Sequence, residues 1–519
     1  MSEAAPPAPP SPASEPPPRN LYLVVGSVLV AMLLASLDNL ILGTAMPSIV
    51  ADLGGLDRLT WVVTAYTLAT AVSTPVWGKV GDLYGHKGAF LACIAIFLAG
   101  SALAGAAQTM AQLVAFRAVQ GVGGGGLMVG ALAIITSLVP VRRQGRFQGM
   151  IAATMGVAML AGPLAGGLIT DRLGWRWCFY VNLPLGALAM VLVTLVLRLP
   201  RRRAQARIDH LGALTLAAAI TSVVLAGTWG GREHAWTSPT ILGLAALAVA
   251  ATAAFLAAER RAAEPLLPLR LFRDRNFSLA TLIGFLLGFA MFAGVTFLPV
   301  FQQTVQGASA TDAGLLGLPL SMAMVLVNMV AGPFITRTGR YKPVILAGGA
   351  LAATGLLLLS RMDTGTSPVL TGAYMAVLGL GVGCLTQSTL ILSLQSVEPQ
   401  DIGVGASTAT LSRTIGGSLG VSAAGVLFAD RVSEVLAERG AASAAGDGSA
   451  QLDAASLARL PENVRDAYEH AVAGGTGAAF LLAGAVAAVA FAVAWAVRQV
   501  PLRDHSVPAA EPDREKAAP

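Results

Sequence analysis

The chain alternates long apolar runs with short polar interruptions. The runs fall at 21–46, 60–78, 88–107, 111–139, 147–169, 178–198, 211–229, 239–257, 278–301, 313–336, 343–360, 367–395, 403–428 and 475–497. A helix needs about 20 residues to cross the hydrocarbon core of a bilayer, so the pattern predicts an all-α polytopic membrane protein with fourteen spanning helices. The first run is too long for a signal-peptide core and contains Asp38, so it reads as a retained span. Residues 1–20, rich in Pro, Ala and Ser, read as a disordered tail. The one long interruption is 429–474, and within it PENVRDAYEHAVA (461–473) reads as an amphipathic helix with Pro461 at its first position.

Three charges break the apolar pattern: Asp38, Arg117 and Arg413. A charge at the centre of a span costs about 2.5–3.5 kcal/mol on insertion scales, and arginine cannot shed its proton to escape that cost. Each must face a partner or a watery cavity. Asp38 lies eight residues before the end of the first run and Arg117 about seven after the start of the fourth. At 1.5 Å per residue both sit roughly 10–12 Å from the same membrane edge, so they are expected to share one cavity. Gln120 lies one turn beyond Arg117, and Gly121 and Gly123–Gly126 leave a bare surface for close helix packing.

Composition agrees with the pattern: mean hydropathy is +0.69, 55% of residues are hydrophobic and 12% are charged. No stretch remains for a soluble catalytic domain. The three scattered cysteines support neither a disulfide framework nor a metal site, and no histidine lies deep in a run. Gly123–Gly126 is no nucleotide loop, because no Gly-Lys-Ser/Thr follows it. The net charge of +6 resides in alternate loops, which carry Lys79, Lys87, Arg142, Arg143, Arg270, Arg273, Arg337 and Arg340, whereas the opposite short loops are poor in basic residues. By the positive-inside rule these loops and both termini are cytoplasmic, and no nucleic-acid partner is implied. Gly78 and Gly85 are echoed by Gly332 and Gly339, and Gly162, Gly166 and Gly167 by Gly416, Gly417 and Gly420. Such repeats are common in secondary transporters. They divide the chain into a tail (1–20), a six-helix bundle (21–198), an inserted two-helix hairpin with linkers (199–276), a second six-helix bundle (277–498) and a tail (499–519), a 6+2+6 arrangement. The hairpin carries no intramembrane charge and is expected to pack outside the central pathway, in the gap between the two bundles.

Four motifs, in order, carry a resemblance: GKVGDLYGHK (78–87), RAVQGVG (117–123), GPLAGG (162–167) and WRWCFYVNLPLG (175–186), preceded by Asp38 and Met46-Pro47. Over about 20–500 the chain resembles the fourteen-helix drug:proton antiporters of the major facilitator superfamily. The resemblance implies a proton-coupled exporter of lipophilic drugs or metabolites in the bacterial inner membrane, working by alternating access as a monomer. Asp38 and Arg117 are the expected proton-coupling pair. Gly78, Gly81, Asp82, Gly85 and Lys87 form a conformational latch, with Asp82 suited to the positive end of a neighbouring helix. Gly162, Pro163, Gly166 and Gly167 mark the antiporter helix. Gln120, Met324, Asn328, Gln387 and Arg413 are candidate substrate-cavity residues, while Trp175, Trp177, Phe179 and Tyr180 read as an interfacial belt. Leu83 and His86 depart from the family's loop arginines. Partners are a small lipophilic substrate, protons and membrane lipids; no metal or cofactor is expected. An exporter dedicated to one metabolite, a solute:proton symporter and a non-transporting sensor or scaffold remain open alternatives.

Overall fold

A computed structural model describes residues 21–54, 59–139, 141–197, 209–230, 234–262, 264–308, 310–439 and 461–501. The expected tail 1–20, residues 502–519 of the expected tail 499–519, and the basic stretch 198–208 lie outside the described residues. Each predicted run is helical, and the described residues contain no β-strand. The first bundle comprises α1 (Leu21–Leu53), α2 (Leu59–Tyr84), α3 (His86–Gly105), α4 (Met110–Leu138), α5 (Val141–Leu173), the short α6 (Trp177–Tyr180) and α7 (Asn182–Val196). The inserted hairpin is α8 (His210–Trp229) and α9 (Pro239–Glu259). The remainder is α10 (Arg275–Thr304), α11 (Ala310–Leu316), α12 (Leu318–Thr338), α13 (Lys342–Leu359), α14 (Pro368–Gln395), α15 (Ile402–Glu438) and α16 (Glu462–Trp495). Eleven described helices are long and apolar enough to cross a membrane on their own composition.

Helix starts are written locally. Thr109, Asp209, Ser238, Asp274 and Ser367 each accept a hydrogen bond from a backbone N–H of the first turn, the capping that satisfies donors left free at a helix start. Gly85 and Gly339 both take left-handed φ values, 98° and 69°, at the loops that the sequence repeat pairs. Several boundaries differ from expectation, among them the end of α2 at Tyr84 and the start of α5 at Val141. Helix α1 continues to Leu53, and α15 runs to Glu438, well past 428. Pro461 is the N-cap of α16 rather than its first residue, and the helix enters the span without a break. Much of the expected external loop is therefore helical: Val432, Val435 and Leu436 bury against Val464, Ala467 and Tyr468.

The glycines of α4 place it between two neighbours. A Cβ on Gly121 would lie 2.5 Å from the Tyr66 carbonyl oxygen of α2, and one on Gly123 would lie 2.4 Å from the Phe97 backbone nitrogen of α3. Thr70 donates to the Gly121 carbonyl at 3.2 Å and Trp77 Nε1 to the Val122 carbonyl at 2.7 Å, stitching α2 to α4. On the antiporter helix, a Cβ on Gly162 would collide with Leu40 of α1. Gly166 is buried, Gly167 faces open space, and the Pro163 side chain lies outside the described residues. The two bundles meet along α2 with α15 and along α5 with α12, and α8 packs against both α2 and α15.

Candidate functional site

At the heart of the first bundle, Arg117 Nη1 pairs with Asp38 Oδ2, both side chains shut away from solvent. The same nitrogen donates to Gln120 Oε1 at 2.8 Å, Nη2 to Asn39 Oδ1 at 3.2 Å and Nε to the Val62 carbonyl at 3.4 Å. The guanidinium carbon stands 4.1 Å from the Tyr66 ring centroid, a cation–π contact. Asp38 Oδ1 accepts from Gln120 Nε2 at 2.8 Å and Asn182 Nδ2 at 2.7 Å. Asn182 also donates to Ser101 Oγ at 2.9 Å, and Ser101 in turn donates to the Phe179 carbonyl at 2.8 Å. Both carboxylate oxygens thus act as acceptors toward α4 and α7. Asp38 and Arg117 meet at one depth as expected, but as a pair shut away from solvent rather than across a shared cavity, and Asn182, which joins them, was not anticipated. That residue sits in a motif read as an interfacial belt, and a lone amide among aromatics was its only signal. Trp175 and Phe179 also depart from the belt: both are buried, and Trp175 donates to Asp52 Oδ2 at 3.0 Å, while Trp177 is exposed.

A second polar site lies at the end of the molecule that carries most of the lysines and arginines, called here the basic end. Asp82 Oδ1 and Oδ2 accept from the backbone N–H groups of Gly403 and Val404, each at 2.9 Å. These are unpaired donors of the first turn of α15, so a carboxylate of one bundle caps a helix of the other. Burial pushes the Asp82 carboxyl up to about 7, opposed by those two hydrogen bonds. Gly78 makes the approach possible, since a Cβ there would lie 2.6 Å from the Gly403 carbonyl oxygen. A Cβ on Gly81 would meet the His86 ring, and His86 Nε2 stands 3.6 Å from Asp82 Oδ1. Lys87 is placed differently from expectation. It donates to the Thr194 and Leu197 carbonyls at 2.8 and 2.6 Å, closing the end of α7 within its own bundle. The linker after the hairpin supplies two ties not foreseen: Lys79 to Glu264 at 2.9 Å and Arg270 to Asp401 at 2.7 Å.

Between α2, α8, α10 and α15 lies a cavity of about 1020 Å³. It reaches from Thr74 and Thr410, one turn from Gly78 and two turns from Gly403, to Phe428 and Asp430 at the opposite end. The hairpin does sit in the gap between the two bundles, where α8 meets α2 and α15, but Val224, Gly227, Thr228 and Trp236 line the cavity, which corrects the expectation that it packs outside; Thr215, Thr221 and Ser222 are not lining residues. The candidate cavity residues lie elsewhere. Gln120 belongs to the Asp38 network. Met324 and Asn328 are half-buried on α12, and Gln387 is buried on α14. Asn328 Oδ1 and Gln387 Nε2 have no hydrogen-bond partner among the described residues. Arg413 is half-buried on α15, its carbonyl pressed against Gly288 of α10.

Comparison with known proteins agrees with this architecture. The pattern of the Major Facilitator Superfamily matches residues 28–421. Multidrug transporter protein MdtP of Bacillus subtilis (strain 168) is 38% identical over 418 residues, 80% of this chain and 77% of that protein. Multidrug resistance protein 3 of the same organism is 35% identical over 472 residues, 89% of this chain and 92% of the other. Among solved structures, the human organic anion transporter MFSD10 (TETRAN) superposes with a TM-score of 0.62 at 15% identity, covering 92% of this chain and all of that one, a likeness of fold alone. With its two bundles, repeated glycine loops and motifs in order, the chain belongs to the major facilitator superfamily and is a membrane transporter rather than an enzyme.

Proposed function

We propose that the protein is a proton-coupled antiporter that exports lipophilic drugs or metabolites from the cytoplasm by alternating access. The observation that carries this reading is the buried Asp38–Arg117 pair, an ionisable carboxylate held in a span by a charge that motion between helices can withdraw. Relatives named as multidrug transporters support the exporter direction. In this reading the basic end is cytoplasmic, fourteen helices span a bacterial inner membrane, and both termini return to the cytoplasm. The three helices that complete the fourteen, α2, α5 and α15, are more polar or more charged than the eleven apolar ones. The Asp82 contact and the linker ion pairs hold the cytoplasmic side shut while the cavity is reached from outside; a monomer suffices.

Everted vesicles carrying an imposed pH gradient should lose it when substrate is added. Asp38→Asn should abolish gradient-driven export while membrane insertion persists. Full proton-coupled export by that variant would overturn the reading. Substrate charge follows from the same residue. Among the described residues Asp38 is the acidic side chain deep in a span and is held by Arg117, and the large cavity has one lining carboxylate, Asp430, at its end away from the Gly78–Gly403 contact, so two positive charges cannot both be neutralised there. Neutral, monocationic or weakly anionic lipophiles are therefore the expected substrates. Competition between matched mono- and dicationic dyes checks this, and tighter binding of the dication would refute it.

A further inference from the structure

One intramembrane charge belongs to neither polar site. Arg117 is engaged by Asp38, Gln120 and Asn39, whereas the Arg413 guanidinium has neither a hydrogen bond nor an ion pair among the described residues. It lies ten residues into α15 from Gly403, whose N–H binds Asp82. At 1.5 Å per residue that is about 15 Å, half of a hydrocarbon core about 30 Å thick. Snorkelling to an interface serves charges near helix ends and is out of reach here. Asp401 and Asp430 lie twelve and seventeen residues away along the helix, about 18 and 25 Å, and Asp38 has both oxygens taken by Arg117, Gln120 and Asn182. The direction of the side chain follows from its neighbours. Gly416 and Gly420 press on the α10 backbone, Thr410, Thr414 and Gly417 line the large cavity, and Leu419 is exposed. At 3.6 residues per turn, Arg413 falls about 40° from Gly417 and 60° from Thr410 but about 120° from Leu419. It therefore flanks the cavity wall instead of facing lipid, and being half-buried it keeps access to open space. Phe292 of α10 closes over Gly417, one turn outward, and lines the same cavity.

We propose that Arg413 is the counter-charge for an organic monoanion, a lipophilic acid whose carboxylate pairs with the guanidinium while its apolar body lies against Phe292. A cation left unpaired at mid-depth destabilises the fold, and the incoming carboxylate supplies the partner that the chain withholds. The planar guanidinium suits a carboxylate in particular, because it can meet both oxygens at once. A neutral molecule of the same shape gains the apolar contact and leaves the charge unmet. Arg413 thus sets a preference, among lipophiles, for acids over their uncharged amides. The acid meets the second bundle, and the Asp38–Arg117 pair of the first is left as it stands. That such an acid is exported rests on the antiporter reading; that it binds beside Arg413 does not.

The probe is 1-naphthaleneacetate, ionised at neutral pH as carboxyls are, and its match is 1-naphthaleneacetamide, which keeps the shape and loses the charge. Equilibrium binding is measured on the full-length protein in phosphatidylcholine nanodiscs, which carry no anionic lipid, against the same nanodiscs without protein. Wild type should bind the acetate about tenfold more tightly than the amide, the step that a charge-assisted hydrogen bond supplies. Arg413→Gln should weaken the acetate about tenfold and leave the amide unchanged, so that the two affinities meet. Arg413→Lys, which keeps the charge without the fork, should fall between. Arg431→Gln, at an exposed arginine paired with Glu434, should change neither. Thermal unfolding gives a second readout. Without ligand, Arg413→Gln should melt no lower than wild type, because it removes a charge and orphans no partner. Saturating acetate should raise the melting temperature of wild type but not of Arg413→Gln, and sodium chloride at the same concentration should raise neither. Equal affinities in wild type, an acetate preference that survives in Arg413→Gln, an Arg413→Gln variant that melts lower or fails to fold, or a chloride effect equal to that of the acetate would each overturn the proposal. Arg413-dependent acetate binding without gradient-driven export by wild type would sink the antiporter reading and leave the anion site standing. Export of other lipophiles with no acetate preference would do the reverse.

Discussion

At the residue scale, Asp38 and Arg117 form an arrangement that is safe only when complete. Desolvating two charges is costly, and their attraction offsets that cost because Gln120, Asn39 and Asn182 occupy the remaining donors and acceptors. Removing one partner leaves the other buried and unpaired. Arg117→Ala should therefore destabilise the protein by about 3–5 kcal/mol, whereas the double change Asp38→Asn with Arg117→Gln should recover most of that loss. Thermal unfolding in detergent measures both. An Arg117→Ala variant as stable as wild type would mean that the guanidinium is already solvated. Asn182 is the residue here with a contribution visible only in space: its amide nitrogen serves Asp38 and Ser101 together, and its oxygen has no partner among the described residues.

At the element scale, the glycines of α4 set the distance between helices. Gly123 leaves no room for a methyl group, because what a Cβ would meet is the backbone of α3 rather than a side chain that can swing away. Gly123→Ala should cost about 1–3 kcal/mol through forced separation of α3 and α4. Gly88→Ala on α3, where a Cβ meets nothing within 4 Å, should be neutral or stabilising by roughly 0.5–1 kcal/mol. The pair of melting temperatures checks the packing argument against mere helix propensity, since propensity alone makes both changes favourable. The same logic explains Gly78 and Gly403, which bring two helices of different bundles into backbone contact and let Asp82 reach the start of α15.

For the whole molecule, the Asp82 contact links protonation to the relation between the bundles. Its carboxyl stands at about 7 when latched, because burial outweighs the two N–H donors, against 3.8 when free. The group binds its proton more tightly latched than exposed. Its contribution to the latched state is thus complete below about 3.8 and is lost as pH rises through about 7. Raising pH from 5 to 8, a change of about three units on the general scale of carboxyl titration, should enlarge the fraction open at the basic end. Distances between spin labels on α2 and α15 would report it. Lys79, Asp401 and His86 also face this site, so two controls are needed: Asp82→Asn should flatten the pH response, and His86→Gln should leave it. A response carried wholly by His86 would refute the assignment.

Much of this was legible along the chain because a spanning helix converts residue number into depth. The helical runs, the common depth of Asp38 and Arg117, and the suitability of Asp82 for a helix start all follow from hydropathy, a fixed rise per residue and the partial charge at a helix terminus. Rotation about each helix axis and the identity of lateral neighbours leave no such trace, because apolar packing is non-directional and lipid and protein favour the same side chains. Only the tertiary structure therefore decided that α15 receives Asp82, that Lys87 closes α7 instead, and that Trp175 turns inward to Asp52. It also decided that α8, as apolar as any lipid-facing helix, walls the cavity between the two bundles.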